Sequence, residues 1–209
     1  MVDFSQLSDS VITGNREDVL RLTQKAVDER IKPAEIINKG LINGMDVVGK
    51  RFKDGDMFVP EVLMTARAMK SGMNIVKPLL LKEETKDAGK VVLGTVSGDM
   101  HDIGKNLVRM MMESGGLEVT DIGVDVDIEQ FVKSIREIKP DVLAMSALLT
   151  TTMLEMKNVI EVLVEEGLRD DIKIIVGGAP VTKEFADEIG ADGWAPDAAS
   201  AKDLAFELI

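Results

Sequence analysis

Cysteine and tyrosine are absent from this 209-residue chain, which holds one histidine and one tryptophan. Without cysteine there is no thiol nucleophile, disulfide, iron–sulfur cluster or zinc–thiolate site. The sole histidine, His101, would have to serve as the base of any Ser-His-Asp hydrolase, and no G-x-S-x-G elbow accompanies it. No H-E-x-x-H spacing offers a zinc site either. If His101 binds a metal, the metal arrives inside a cofactor that needs a single protein ligand. Basic residues are also scarce: 25 Lys+Arg against 37 Asp+Glu give a net charge of −12. That balance argues against nucleic acid or an anionic membrane as a partner. The opening Met1-Val2-Asp3-Phe4-Ser5 has no basic, apolar leader pattern, and no apolar run approaches a membrane span. A cytoplasmic protein is expected. Thirteen methionines against six phenylalanines imply a pliable interior or adaptable surfaces.

What is present divides into two periods. Residues 1–88 read as helices. A short helix is expected near 4–12, and Asn15 caps a second segment with Val19, Leu20, Leu22, Ala26 and Val27 at helical spacing. Pro33 suits the first turn of a helix over Ala34–Lys50, where Gly40 and Gly44 suggest close helix packing. After the turn Phe52–Val59, Pro60 opens another helix. Four helices with short loops predict a small bundle. The polar stretch Leu81–Gly89 reads as a linker.

From residue 89 to 209, short β-branched runs alternate with helical ones. Strands are expected near 91–96, 117–122, 142–146, 172–176 and 193–195. Helices are expected near 103–114, 128–138, 150–166, 182–189 and 198–208. Such alternation means an α/β domain: a doubly wound, five-stranded parallel sheet of the flavodoxin or Rossmann type.

Open α/β sheets place ligands at the carboxyl edge of their strands. Three loops converge there. The first carries Gly98-Asp99-Met100-His101-Asp102-Ile103-Gly104-Lys105-Asn106. A carboxylate two residues before a histidine supplies a metal ligand with a partner for its second ring nitrogen. The third strand ends in Ser146-Ala147-Leu148-Leu149-Thr150-Thr151-Thr152, with four hydroxyls in seven residues, and the fourth in Gly177-Gly178-Ala179. Singly, each has an ordinary reading: a surface histidine, N-capping of a helix beginning near Thr152, a tight glycine turn. Together, on successive loops of one edge, they point to a ligand site.

The stretch Gly98–Asn106 resembles the D-x-H-x-x-G signature of corrinoid-binding domains, Ser146-Ala147-Leu148 their S-x-L motif, and Gly177-Gly178-Ala179 their G-G motif. Gly44-Met45 and the run Phe52–Pro60 resemble the family's helical cap. The chain is thus similar to stand-alone corrinoid proteins of methanogens and acetogens, which serve methylamine or methanol in one-carbon metabolism, and to the cobalamin module of methionine synthase. The resemblance implies a cap over 1–88 and a cobalamin-binding domain over 89–209. It implies a base-off, His-on corrinoid with His101 as the axial cobalt ligand and Asp99 and Thr152 as its proton relay. Cofactor contacts would come from Gly98, Met100, Asp102, Gly104, Ser146, Leu148, Thr150, Gly177, Gly178 and Ala198. Phe52 and Val59 would shield the methyl face, Val59 standing where the family often has leucine. The implied partners are a substrate-specific methyltransferase, a second methyltransferase acting on coenzyme M or tetrahydrofolate, and a reductive activator. A corrinoid-binding regulatory module and a small subunit of a cobalamin-dependent mutase are the alternatives within the class. A plain flavodoxin-like interaction domain would leave His101 without a role.

Overall fold

The computed structural model describes residues 3–80 and 89–209. Apart from Gly89, the stretch read as a linker lies outside the described residues. The chain forms two compact units, one of helices and one of alternating strands and helices.

In the helical unit, α1 (Phe4–Ile12) and α2 (Arg16–Asp28) are joined by a tight turn. Asp3 caps α1 by accepting from Ser5 N, and Asn15 caps α2 by accepting from Asp18 N, so each helix entry satisfies an otherwise orphaned donor. The helix expected over Ala34–Lys50 is longer and less regular. It runs as α3 (Pro33–Ile36), a π-helical segment (Ile37–Ile42) and α4 (Asn43–Lys53). Gly40 and Gly44 on it pack against α1. A Cβ on Gly40 would lie 2.5 Å from Leu7 Cδ2, and one on Gly44 would lie 2.9 Å from the Ser8 carbonyl oxygen. After the turn comes α5 (Val59–Val76), whose entry is held by Phe58 N donating to Glu61 Oε2 at 2.8 Å.

The second unit follows the order β1 (Lys90–Val96), α6 (Ile103–Gly115), β2 (Glu118–Val126), α7 (Ile128–Ile138), β3 (Val142–Ser146), α8 (Leu154–Glu165), β4 (Lys173–Gly177), α9 (Lys183–Glu188), β5 (Gly193–Ala195) and α10 (Ala198–Leu208). All neighbouring strands are parallel, in the order β2-β1-β3-β4-β5. This is the doubly wound sheet expected from the alternation. Period-two side-chain placement builds two cores. Val92, Val96, Leu143, Met145, Ile174 and Val176 meet α7, α8 and α9 residues such as Phe131, Met156 and Ala186 on one face. Val91, Leu93, Val142, Ala144 and Ile175 meet Met112 of α6 and Ala201 and Ala205 of α10 on the other. Burying each large aliphatic side chain contributes about 1.5–3 kcal/mol. Both faces are covered, so the free edge that remains for chemistry is the one at the strand ends.

Two elements depart from expectation. β2 extends to Val126 rather than ending near 122, because β1 and β2 lose register twice: Leu93 pairs with Asp121, Gly94 with Gly123 and Val96 with Val126. Each shift inserts a residue into β2 and re-aims the chain beyond it. α8 begins at Leu154, not near 150, because residues 150–153 form turns committed to the neighbouring loop.

Candidate functional site

The carboxyl ends of β1, β3 and β4 lie side by side. Thr95 pairs with Ser146, and Ser146 with Gly177. Two of the predicted motif residues therefore share one row along the edge, next to Thr95 at the mouth of the His101 loop.

Asp99 is the hub of that loop and has no exposed surface. Its Oδ1 accepts from His101 N at 3.0 Å and faces His101 Nδ1 at 2.7 Å. Its Oδ2 accepts from Leu148 N at 2.7 Å, Leu149 N at 3.3 Å and Thr152 Oγ1 at 2.7 Å. Burial works against ionisation. Even so, hydrogen bonds from the Leu148 and His101 amides, the Thr152 hydroxyl and the His101 ring hold the carboxyl well below the usual carboxylate range. The site thus contains a fixed buried anion beside an imidazole.

His101 is held by its backbone as well. Its carbonyl oxygen accepts from the buried hydroxyl of Thr95 at 3.0 Å. With Nδ1 on Asp99 and the side chain half exposed, Nε2 is the ring nitrogen through which a metal can be held. An anionic partner on Nδ1 fixes the ring and increases its donor strength toward such a metal.

Thr152 does not cap α8, as the local pattern allowed. Its hydroxyl turns instead to Asp99 and to the Leu149 carbonyl, and α8 begins without a side-chain cap. Gly98, in the left-handed region at φ 76°, donates its N–H to Asp125 Oδ1 at 2.7 Å. Asp102 accepts from Asn106 Nδ2 at 2.9 Å and so steadies the entry to α6. Gly104 sits in the first turn of α6, where an added Cβ would meet nothing within 4 Å. Gly178 is tightly hemmed in: at φ 123°, a Cβ would fall 1.8 Å from the Ala147 carbonyl oxygen. The Gly177–Pro180 turn is tied to β5 by Trp194 Nε1, which donates to the Val181 carbonyl at 2.8 Å.

Other predicted residues make no side-chain hydrogen bond to Asp99 or His101 among the described residues. Thr150 is exposed in the turn before α8, Ala198 is buried at the start of α10, and Phe52 and Val59 belong to the helical unit. Two contributors escaped sequence reasoning: Thr95, which reads as an ordinary strand residue, and Asp125, which lies beyond the strand end expected near 122.

Around His101 the two interlocked loops expose Met100, Ile103, Leu148, Leu149 and Leu154, side chains that a water-facing loop has no reason to present. Such a rim, open above Gly104, fits a broad, largely apolar disc that brings its own metal.

The comparisons with known proteins agree with this geometry. Residues 89–202 match the B12 binding domain family, and residues 4–77 match a second B12 binding domain family. A dimethylamine corrinoid protein of Methanosarcina acetivorans is 46% identical over 205 residues, spanning 98% of this chain and 94% of that one. The chain belongs to the corrinoid proteins. Among solved structures, this corrinoid protein is similar to a cobalamin-binding protein of Desulfitobacterium hafniense. That match has a TM-score of 0.85 at 30% identity and covers 100% of both chains. It also matches a chain of the methanol:cobalamin methyltransferase complex of Methanosarcina barkeri, with a TM-score of 0.82 at 31% identity, covering 98% of this chain and 78% of that one. A corrinoid is thus the cofactor of this corrinoid protein, and no helix among its described residues is long and apolar enough to cross a membrane.

Proposed function

We propose that the chain carries a methyl group between a substrate-specific methyltransferase of the methylamine or methanol class and a second methyltransferase whose acceptor is coenzyme M or tetrahydrofolate. When bound, the corrinoid supplies a cobalt that accepts a methyl group and gives it up again. Residues 89–209 act as the binding domain and 1–88 as its cap.

The observation that carries the reading is the Asp99–His101 pair, with Nδ1 engaged and the imidazole half exposed. His101 serves as the one protein ligand to cobalt through Nε2, in place of the cofactor's own base. Asp99 and Thr152 hold the imidazole in that orientation, and the freed imidazole takes up the proton that accompanies release and returns it on ligation, with the Asp99 carboxylate stabilising the imidazolium. Asp99 does so without leaving its own hydrogen bonds to Leu148 and Leu149. Gly98, Met100, Asp102 and Gly104 border the corrinoid on the first loop. Ser146, Leu148, Thr150, Gly177, Gly178 and Ala198 line the groove for its tail. Phe52 and Val59 of the helical unit screen the methyl face. The similarity to a chain of a methyltransferase complex supports partnership with a methyltransferase. A reductive activator restores the working oxidation state, and the setting is the cytoplasm.

The test is spectral. The protein reconstituted with methylated cobalamin is expected to show the absorption of a cofactor ligated by the protein. His101→Ala is expected to retain the cofactor but with the spectrum of a water-ligated form. Identical spectra for the two proteins would remove His101 from the coordination sphere.

A further inference from the structure

We propose that Asp125, at the end of β2, is a positioning residue that clamps the Gly98–His101 loop and so keeps the His101 ring turned to its metal-holding orientation. The inference rests on the reading of His101 as the cobalt ligand and extends it to a residue from another strand.

Asp125 makes two hydrogen bonds to the loop, in opposite directions. Its carboxylate Oδ1 accepts from Gly98 N at 2.7 Å, and its backbone N–H donates to the Asp99 carbonyl at 2.9 Å. The two bracket the Gly98–Asp99 peptide, engaging the N–H of the peptide before it and the C=O of the peptide after it, and so restrain its rotation. The side chain of Asp99 leaves from this restrained segment, and its Oδ1 receives both the amide and the ring nitrogen of His101. A rotation of the peptide would carry the carboxylate away from Nδ1 and from its bonds to the neighbouring loop.

The backbone of Asp125 is itself unusual. It is a non-glycine residue in the left-handed region, at φ 51°. Such a conformation costs about 1–2 kcal/mol for most residues and is tolerated best by Asn, Asp and Gly. It follows from the second register shift between β1 and β2, just before Val96 and Val126 resume pairing. A regular strand would present a backbone carbonyl here, level with its neighbours. The shift substitutes a side-chain acceptor that reaches Gly98, itself at φ 76°. Two irregular backbones, one on β2 and one in the turn just after β1, thus lock together at the loop that carries the histidine. A solvent-exposed aspartate with neither duty would relax out of this conformation.

The chain's single histidine makes the test direct, because 15N-histidine labelling reports His101 alone. Three variants separate the contributions. Asp125→Asn keeps an acceptor and tolerates φ above zero. Asp125→Gly keeps the backbone donor and the conformation but loses the acceptor. Asp125→Ala loses the acceptor and disfavours the conformation. In the protein without cofactor, the parent and Asp125→Asn are expected to show one ring tautomer, with the proton on Nδ1. Asp125→Gly and Asp125→Ala are expected to lower the ratio of that tautomer by about tenfold, the loss of one charged hydrogen bond. In the protein loaded with Co(II) corrinoid, the same two variants are expected to lose nitrogen coupling from His101 in the electron paramagnetic resonance spectrum, with Asp125→Asn retaining it.

Parent-like ring and cobalt spectra in Asp125→Gly would overturn the proposal. So would equal loss in Asp125→Asn, which would mean that the residue acts by charge and not by clamping. If the parent itself shows no nitrogen coupling, the ligand reading fails. The ring tautomer of the cofactor-free variants then still decides whether Asp125 positions His101.

Discussion

Thr152 Oγ1 donates to Asp99 Oδ2 at 2.7 Å across 53 residues of sequence, tying the loop after β3 to the loop after β1. Both groups are buried, so neither can exchange this bond for one to water. Thr152→Val keeps the shape and removes the donor, and it is expected to lower stability by about 1.5–3 kcal/mol, the range for a hydrogen bond to a charged group. Thr152→Ser is expected to recover most of the loss. Urea denaturation of the three proteins at neutral pH measures this; a parent-like midpoint for Thr152→Val would mean that the remaining amides suffice.

The depressed acidity of Asp99 has a definite pH signature. Its folded pKa lies below an unfolded value of about 4, so the folded state resists protonation where the unfolded state does not. Its contribution is therefore fully present above about pH 4 and is lost as pH falls toward the folded value. Asp99→Asn removes that titration, and its amide N–H group meets donors where the carboxylate met only acceptable partners, so the variant is less stable at neutral pH. Below pH 4 the parent is expected to lose stability more steeply than Asp99→Asn, by up to about 1.4 kcal/mol per pH unit for one proton. Unfolding curves collected from pH 5 to 2.5 check the slopes; parallel slopes would contradict a strongly held carboxylate.

Two glycines of the binding edge are predicted to behave oppositely. Gly178→Ala places a Cβ 1.8 Å from the Ala147 carbonyl oxygen at a positive φ, and backbone on both loops must move. A loss of about 3 kcal/mol or more is expected. Gly104→Ala meets no atom within 4 Å, lies in a helix, and is expected to raise stability by up to about 1 kcal/mol. The same methyl intrudes on the space assigned to the corrinoid, so cobalamin uptake is expected to fall while the melting temperature rises. Uptake equal to that of the parent would show that the cofactor does not reach the first turn of α6.

What could be read from sequence was whatever depends on near neighbours. The alternation of strands and helices follows from period-two and helical apolar spacing, and it led to the parallel sheet. Asp99 and His101 are two residues apart, so their pairing was accessible from spacing alone. The local pattern of Thr152 suggests a cap, and only the family resemblance links it to Asp99; its hydroxyl is aimed to donate to a buried carboxylate, whereas a helix cap would have its oxygen accept from backbone N–H groups. Asp125 was invisible for a different reason. Its contacts depend on two register shifts between β1 and β2, which carry the strand past the end expected near 122 and bring Asp125 to the His101 loop. Thr95 likewise looks like any β-branched strand residue until the fold places the His101 carbonyl above it. The π segment Ile37–Ile42 between α3 and α4 left no mark on the apolar periodicity around it.

Trp194 gives the protein an optical property. It is the chain's only tryptophan, no tyrosine accompanies it, and its indole N–H is bonded to Val181 beside the turn that follows β4. Ultraviolet-excited emission therefore originates from one place, at the rim of the groove assigned to the cofactor's tail. Corrinoids absorb strongly across the emission band of indole. Loading and release can thus be followed by energy-transfer quenching in the unmodified protein, with no dye attached and no background from a second fluorophore.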